Sequence, residues 1–181
     1  MDTTSPTLIR ETFPVGPLQC NCTIIGDPVT KKAIVVDPGG NHELILARLD
    51  ALGLKVVSII HTHAHLDHFL ASGQLKEKTG ATLHLHKEDQ FLWDNLEMQC
   101  QMFGVPYTPV PSPDRWLADD EELACGCGVA LHTPSSYIDK RCQIADCRGH
   151  FVPTRRGAHG PLGRRPGDHR AFDQAAPVHP G

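Results

Sequence analysis

No stretch of the 181-residue sequence is apolar for the ~18 or more residues that a membrane-crossing helix needs. Met1–Arg10 has neither the basic start nor the apolar run of a secretory signal, so a cytoplasmic protein is expected. An odd count of seven cysteines without a secretory signal argues against a disulfide framework. Cys20/Cys22 and Cys125/Cys127 are Cys-x-Cys pairs that lack the reach of a Cys-x-x-Cys zinc clamp, and small buried thiols on strands explain them better. The formal net charge of −4 is too small to call for a polyanionic or membrane partner.

Charge and composition are unevenly spread. Residues 146–181 contain six Arg and three Asp, a net +3, so residues 1–145 carry −7. The same 36 residues have no Lys, six Gly, five Pro and four His, but only three Val, Leu or Ile. So few apolar groups cannot offset the entropy of ordering the chain, and a mostly disordered tail is expected there. The tail's arginines come without lysine or interleaved aromatics, so no nucleic-acid partner is expected.

The residues before the tail are patterned as an α/β protein. Short β-rich runs at Leu8–Phe13, Cys22–Ile25 and Ala33–Val36 are separated by Gly, Asp and Pro turn signals. Asp37-Pro38-Gly39-Gly40 breaks the third run, and Asn41 can cap a helix that continues to about Leu52 and ends at Gly53. Leu44, Ile45, Leu49 and Leu52 recur on it at helical spacing. Val56–Ile60 reads as a buried strand. Beyond it the pattern predicts a helix over Phe69–Lys78, a strand over Thr82–Leu85 and a helix over Lys87–Met102. A Pro-rich connection over Val105–Pro113 and a last strand at Val129–His132 follow. Phe91, Leu92 and Trp93 are expected to pack in the core or against helices.

Where Val56–Ile60 ends, the sequence reads His63-Ala64-His65-Leu66-Asp67-His68. The C-terminal ends of such strands are where α/β proteins place their ligand sites. In an extended segment His63 and His65 project to one side and can share one ion, and Asp67 and His68 follow within a tight turn and can face an adjacent position. Imidazole nitrogens with a carboxylate oxygen suit zinc, with iron and manganese as rivals. Asp37, at the end of a neighbouring strand, is a candidate to orient the imidazoles. His84 and His86 repeat the His-x-His spacing, but no carboxylate–histidine pair follows them. Glu88 and Asp89 read as a helix start, which favours a structural role for those two histidines.

With Thr62 before it, this cluster resembles the His-x-His-x-Asp-His motif of the metallo-β-lactamase fold superfamily. Asn21-Cys22, Val36-Asp37-Pro38-Gly39-Gly40 and Leu131-His132-Thr133-Pro134 resemble its glyoxalase II-like (hydroxyacylglutathione hydrolase-like) branch. The resemblance covers a partial domain over residues 7–134 and leaves 135–181 as an anomalous tail. It implies an αββα sandwich with two metals at one edge, His63 and His65 serving one ion and Asp67 and His68 the other. The implied activity is hydrolysis of a small-molecule thioester, possibly linked to glutathione, by water that zinc activates, with Asp67 a possible catalytic group. Fold does not fix substrate, so a lactone, a persulfide or a β-lactam stays open.

The pattern then departs from the branch. Its His-Thr-Pro-Gly-His continues here as His132-Thr133-Pro134-Ser135-Ser136, so Ser136 stands where the third ligand of the first ion belongs. His132 matches a position that the family does not use as a ligand. The later bridging Asp and the closing Pro-Gly-His are missing, and Ala158-His159-Gly160-Pro161 resembles the latter only superficially. Reading each codon from its second base allows Arg148–Pro153 to become G-D-T-L-F-R and Gly157–Arg165 to become G-R-T-D-L-W-G-G-D, strings typical of the branch. A frame change between about Pro134 and Cys147 is therefore expected. It would leave the C-terminal half of the fold incomplete and the activity impaired. The alternative is a non-catalytic, truncated product or a weak metal binder.

Overall fold

A computed structural model describes residues 8–118, 122–124, 129–132, 143–146 and 151–152, the last four stretches by the course of the backbone alone. Six strands form the first sheet: β1 (Ile9–Val15), β2 (Cys20–Gly26), β3 (Lys32–Val36), β4 (Lys55–Ile60), β5 (Thr82–His86) and β6 (Arg115–Leu117). Their spatial order follows their chain order. The β1–β2 and β2–β3 pairs are antiparallel, and β3 to β6 run parallel. The parallel strands are rich in Val, Ile and Leu because helices must cross between them and cover them.

Helices α1 (His42–Ala51) and α3 (Ser72–Thr79) make those crossings, touching each other and β4. The core beneath them joins Ile24, Val35, Ile45, Ile59, Leu75 and Leu83, each fully buried. A second, antiparallel sheet has the order β10-β9-β8-β7, made of β7 (Glu122–Ala124), β8 (Val129–His132), β9 (Gln143–Asp146) and β10 (Phe151–Val152). The strand expected at Val129–His132 is β8. Within the tail expected to lack structure, Asp146 and Phe151–Val152 are in strands, and its remaining residues lie outside those described. So do Ser135, Ser136, Cys125 and Cys127, and with them the expected frame change.

Several local expectations are corrected by specific contacts. Asn41 precedes α1 but does not cap it: its backbone is left-handed at φ 49°, and its Oδ1 accepts from the Gly16 N–H at 2.7 Å. The helix expected over Phe69–Lys78 is two helices, α2 (Leu66–Phe69) and α3, because the Ala71 N–H leaves the helical ladder to donate to the Pro38 carbonyl. The helix expected over Lys87–Met102 is a single turn of 3-10 helix (Lys87–Asp89), α4 (Gln90–Asp94) and α5 (Leu96–Phe103). It breaks at Asn95, whose side chain donates to the Phe91 carbonyl. Trp93 is buried and stacks on Phe69 at 4.2 Å, as expected of a core residue. Phe91, two residues earlier on the helix, is instead 54% exposed, and Leu44 also faces outward. No helix among the described residues is long and apolar enough to cross a membrane.

Candidate metal centre

All the motif residues lie at one edge of the first sheet. The parallel strands β3 and β4 end there, delivering Asp37 after β3 and His61 to His68 after β4. Because β2 runs antiparallel to β3, with Thr23 opposite Val36, the beginning of β2 reaches the same edge and brings Cys20 with it. Asp67 and His68 are not in a turn but in α2.

Asp37 is the buried anchor of this edge. Its Oδ1 accepts from the Thr62 N–H at 2.8 Å and its Oδ2 from the Thr62 hydroxyl at 2.7 Å. The same hydroxyl is 3.0 Å from His63 Nδ1. A hydroxyl has one proton, and the carboxylate can only accept, so Thr62 gives its proton to Asp37 and accepts the His63 Nδ1–H. That fixes the tautomer and leaves the lone pair of His63 Nε2 for an ion. Asp37 has a left-handed backbone at φ 52°, a strain of about 1–2 kcal/mol for a residue with a Cβ. Strain of this kind recurs where the surrounding structure over-determines a functional residue.

The second imidazole held by Asp37 is His68. Its Nδ1 lies 3.2 Å from Asp37 Oδ2, and its Nε2 lies 3.5 Å from Asp67 Oδ2. Burial opposes a charge on His68, but the Asp37 carboxylate outweighs it, and without a metal the imidazolium persists to about pH 11. Asp37 is likewise penalised by burial, yet the His68 charge and the Thr62 hydrogen bonds hold its carboxyl below the usual range. Burial, with the His68 charge beside it, depresses His63 to about 4. The rings of His63 and His68 are 4.0 Å apart, and those of His63 and the exposed His65 are 4.7 Å apart. The four motif residues are thus brought together, and Asp37 orients two of the imidazoles. His84 and His86 are buried in β5, away from the donor cluster.

Two further residues hold the motif and have no counterpart among the sequence expectations. Gln99 on α5 is buried; its Oε1 accepts from the Leu66 N–H at 3.0 Å, and its amide donates to the carbonyls of Ala64 (3.2 Å) and Leu92 (2.8 Å). It pins the loop between His63 and Asp67 from the far side. His61 is the other. Its Nδ1 donates to the His84 carbonyl at 2.8 Å, its Nε2 accepts from Ser72 Oγ at 2.7 Å, and Trp93 packs edge-on at 5.0 Å. Glutamine and histidine are common in polar loops, and only the tertiary contacts distinguish these two.

Burial depresses His61 to about 4. Between about pH 6.5 and 4 the unfolded chain therefore binds a proton that the folded chain refuses. Stability should fall as pH drops through that window, by up to about 3 kcal/mol from this residue alone. Urea unfolding of chelator-treated protein at pH 7 and pH 4.5 measures it; an unchanged midpoint would count against a neutral, buried His61.

A profile of the Metallo-beta-lactamase superfamily matches residues 15–139. The chain belongs to that superfamily. It is 38% identical over 114 residues to hydroxyacylglutathione hydrolase GloC of Haemophilus influenzae, covering 62% of this chain and 53% of the relative. It is 34% identical over 117 residues to the probable metallo-hydrolase YqgX of Bacillus subtilis, covering 63% and 54%. The chain thus spans about half the length of these curated relatives. Among solved structures it is similar to TTHA1623 in a di-iron-bound form, with TM-score 0.62, 26% identity and coverage of 77% of this chain and 68% of that one. The BLEG-1 B3 metallo-beta-lactamase shares the fold, with TM-score 0.64, 23% identity and the same coverage. The chain is thus a metallo-beta-lactamase-fold protein, and superfamily members are generally metal-dependent hydrolases.

Proposed function

We propose that the chain is built for metal-dependent hydrolysis of a thioester, with His63, His65, Asp67 and His68 as the protein ligands at this edge and zinc as the preferred ion. The observation that carries this is the Asp37–Thr62–His63 hydrogen-bond chain. It does what a metal site requires of its surroundings, presenting Nε2 of His63 as a lone pair in a fixed direction. The donor chemistry, imidazole nitrogen and carboxylate oxygen, fits a divalent ion of the zinc or iron type. When bound, such an ion supplies Lewis acidity toward a carbonyl and lowers the pKa of water.

The chain's own residues then have distinct tasks. His63 and His68 are oriented through Asp37, so their ring planes are set before any ligand arrives. Gln99 and His61 fix the loop and strand end that carry them. Asp67, the carboxylate of the motif, would take the proton from attacking water. A glutathione-linked thioester is the substrate favoured by the similarity to the Haemophilus influenzae hydrolase.

A second reading is favoured by Ser136, which replaces the histidine expected to complete the first ion's ligands. On it the chain holds metal but turns nothing over. Release of free thiol from S-lactoylglutathione, followed with zinc and after chelation, separates the two. Zinc-dependent release supports the hydrolase. Bound zinc with no release above the chelated control leaves the metal-binding reading standing and removes the catalytic one.

A further inference from the structure

Cys20 and Cys22 are both buried thiols on β2, as expected, but of the two only Cys22 belongs to the apolar core. Cys20 Sγ instead lies 3.5 Å from His68 Nδ1 and 3.9 Å from Nε2. A donor atom from each of Cys20, Asp67 and His68 falls within 4.8 Å of the other two, and among the described residues no other His, Cys, Asp and Glu side chains converge in this way.

Asp37 occupies Nδ1 of His68, so Nε2 is the nitrogen available to an ion. That nitrogen has Asp67 Oδ2 at 3.5 Å and Cys20 Sγ at 3.9 Å. Tetrahedral zinc with bonds of about 2.0–2.1 Å to nitrogen, 2.0–2.2 Å to oxygen and 2.3 Å to sulfur separates its donors by about 3.3–3.6 Å. The His68–Asp67 pair already has that separation, the His68–Cys20 pair needs to close by only a few tenths of an ångström, and the Cys20 and Asp67 donors lie within 4.8 Å of each other.

The approach of Cys20 to Asp67 is also built into the backbone. Gly39 lies between them: a Cβ there would overlap the Asp67 carbonyl oxygen, sit 2.7 Å from its carbon and come within 3.1 Å of Cys20 Cβ. Only a residue without a side chain lets the Asp37–Gly40 turn, the start of β2 and α2 meet. The first two of these elements contribute Asp37 and Cys20, and α2 contributes Asp67 and His68.

We infer that Cys20, as a thiolate, is the third protein ligand of the ion held by Asp67 and His68. This rests on the metal-centre reading above but adds a donor to it. The sulfur comes from β2, so this three-ligand set needs nothing from the residues after Pro134. On binding, the Cys20 thiol and the His68 Nε2–H each release a proton to solvent, and the ion takes their place. One coordination position remains for water or substrate, as a hydrolytic site requires. A thiolate also biases the site toward zinc or iron and away from magnesium or manganese.

Titration of the metal-stripped full chain with cobalt(II) tests this. The expected result is visible ligand-field bands together with a near-ultraviolet thiolate-to-cobalt charge-transfer band. In Cys20→Ser the charge-transfer band should vanish while cobalt still binds, and Cys22→Ser should keep it. Bound cobalt without that band, or a band that survives in Cys20→Ser, overturns the inference and leaves the metal-centre reading intact. No cobalt binding at all overturns both. Should Cys20→Ser fail to fold, mass-mapped alkylation of the wild-type chain decides: zinc should protect Cys20, and equal labelling with and without zinc overturns the assignment.

Discussion

Zinc content should fall in a His63→Ala/His65→Ala chain, with the secondary structure retained. The two imidazoles lie near the surface end of the cluster, His65 exposed and His63 half-buried, so neither is a core residue whose loss would open a cavity. Residues that merely orient a ligand typically contribute 10–100-fold to metal affinity, so removing a ligand itself should cost at least about 10-fold for each. The double variant is therefore expected to lose the zinc that these two imidazoles hold at micromolar protein. Far-ultraviolet circular dichroism should match the wild type, and Asp67 and His68 keep their own donors. Equal zinc stoichiometry and affinity in the two proteins would remove His63 and His65 from the site.

The strands are legible in the sequence because their cause is local. Ala33–Val36 is a continuous apolar run and Val56–Ile60 is broken only by Ser58; both are bounded by turn residues, and β3 and β4 occupy them almost to the residue. The metal motif is legible for a related reason: four potential ligands within six residues, directly after a buried strand, seldom coincide unless an ion holds them together. Helix boundaries are not legible where a distant carbonyl or amide competes for the backbone. Pro38 takes the Ala71 N–H and Gln99 takes the Leu66 N–H, so α2 begins at Leu66 and stops at Phe69. Periodicity cannot register a partner thirty residues away. β6 has no signature of its own because Arg115–Leu117 is a three-residue strand beside prolines, recruited only by pairing with β5. Spacing to Cys22 hides Cys20, whose partners are 47 and 48 residues further on and reach it only through the antiparallel β2–β3 pair. Asp37 is legible because a carboxylate just beyond a buried strand already has a restricted set of uses.

Gly39→Ala is expected to be the most damaging single-methyl change at this edge. Gly39 does not have a positive φ, so the left-handed backbone penalty does not apply to it. The cost is spatial: the new methyl meets the backbone of Asp67 on one side and Cys20 Cβ on the other, and backbone cannot swing aside as a flexible side chain can. Overpacking of this kind costs roughly 1–3 kcal/mol when neighbours can yield, so more than about 3 kcal/mol is expected here. The displacement falls on α2 and on the start of β2, moving Asp67 and His68 relative to Cys20, and metal affinity should fall with stability. Gly53→Ala is the matched control. Gly53 has φ 62° but nothing within 4 Å of its would-be Cβ, so only the left-handed backbone penalty of about 1–2 kcal/mol applies. Chemical denaturation paired with zinc titration reads both quantities. Gly53→Ala should lose some stability and keep wild-type zinc affinity, whereas Gly39→Ala should lose both. If Gly39→Ala binds zinc as tightly as Gly53→Ala, the turn is not what holds the donor atoms together.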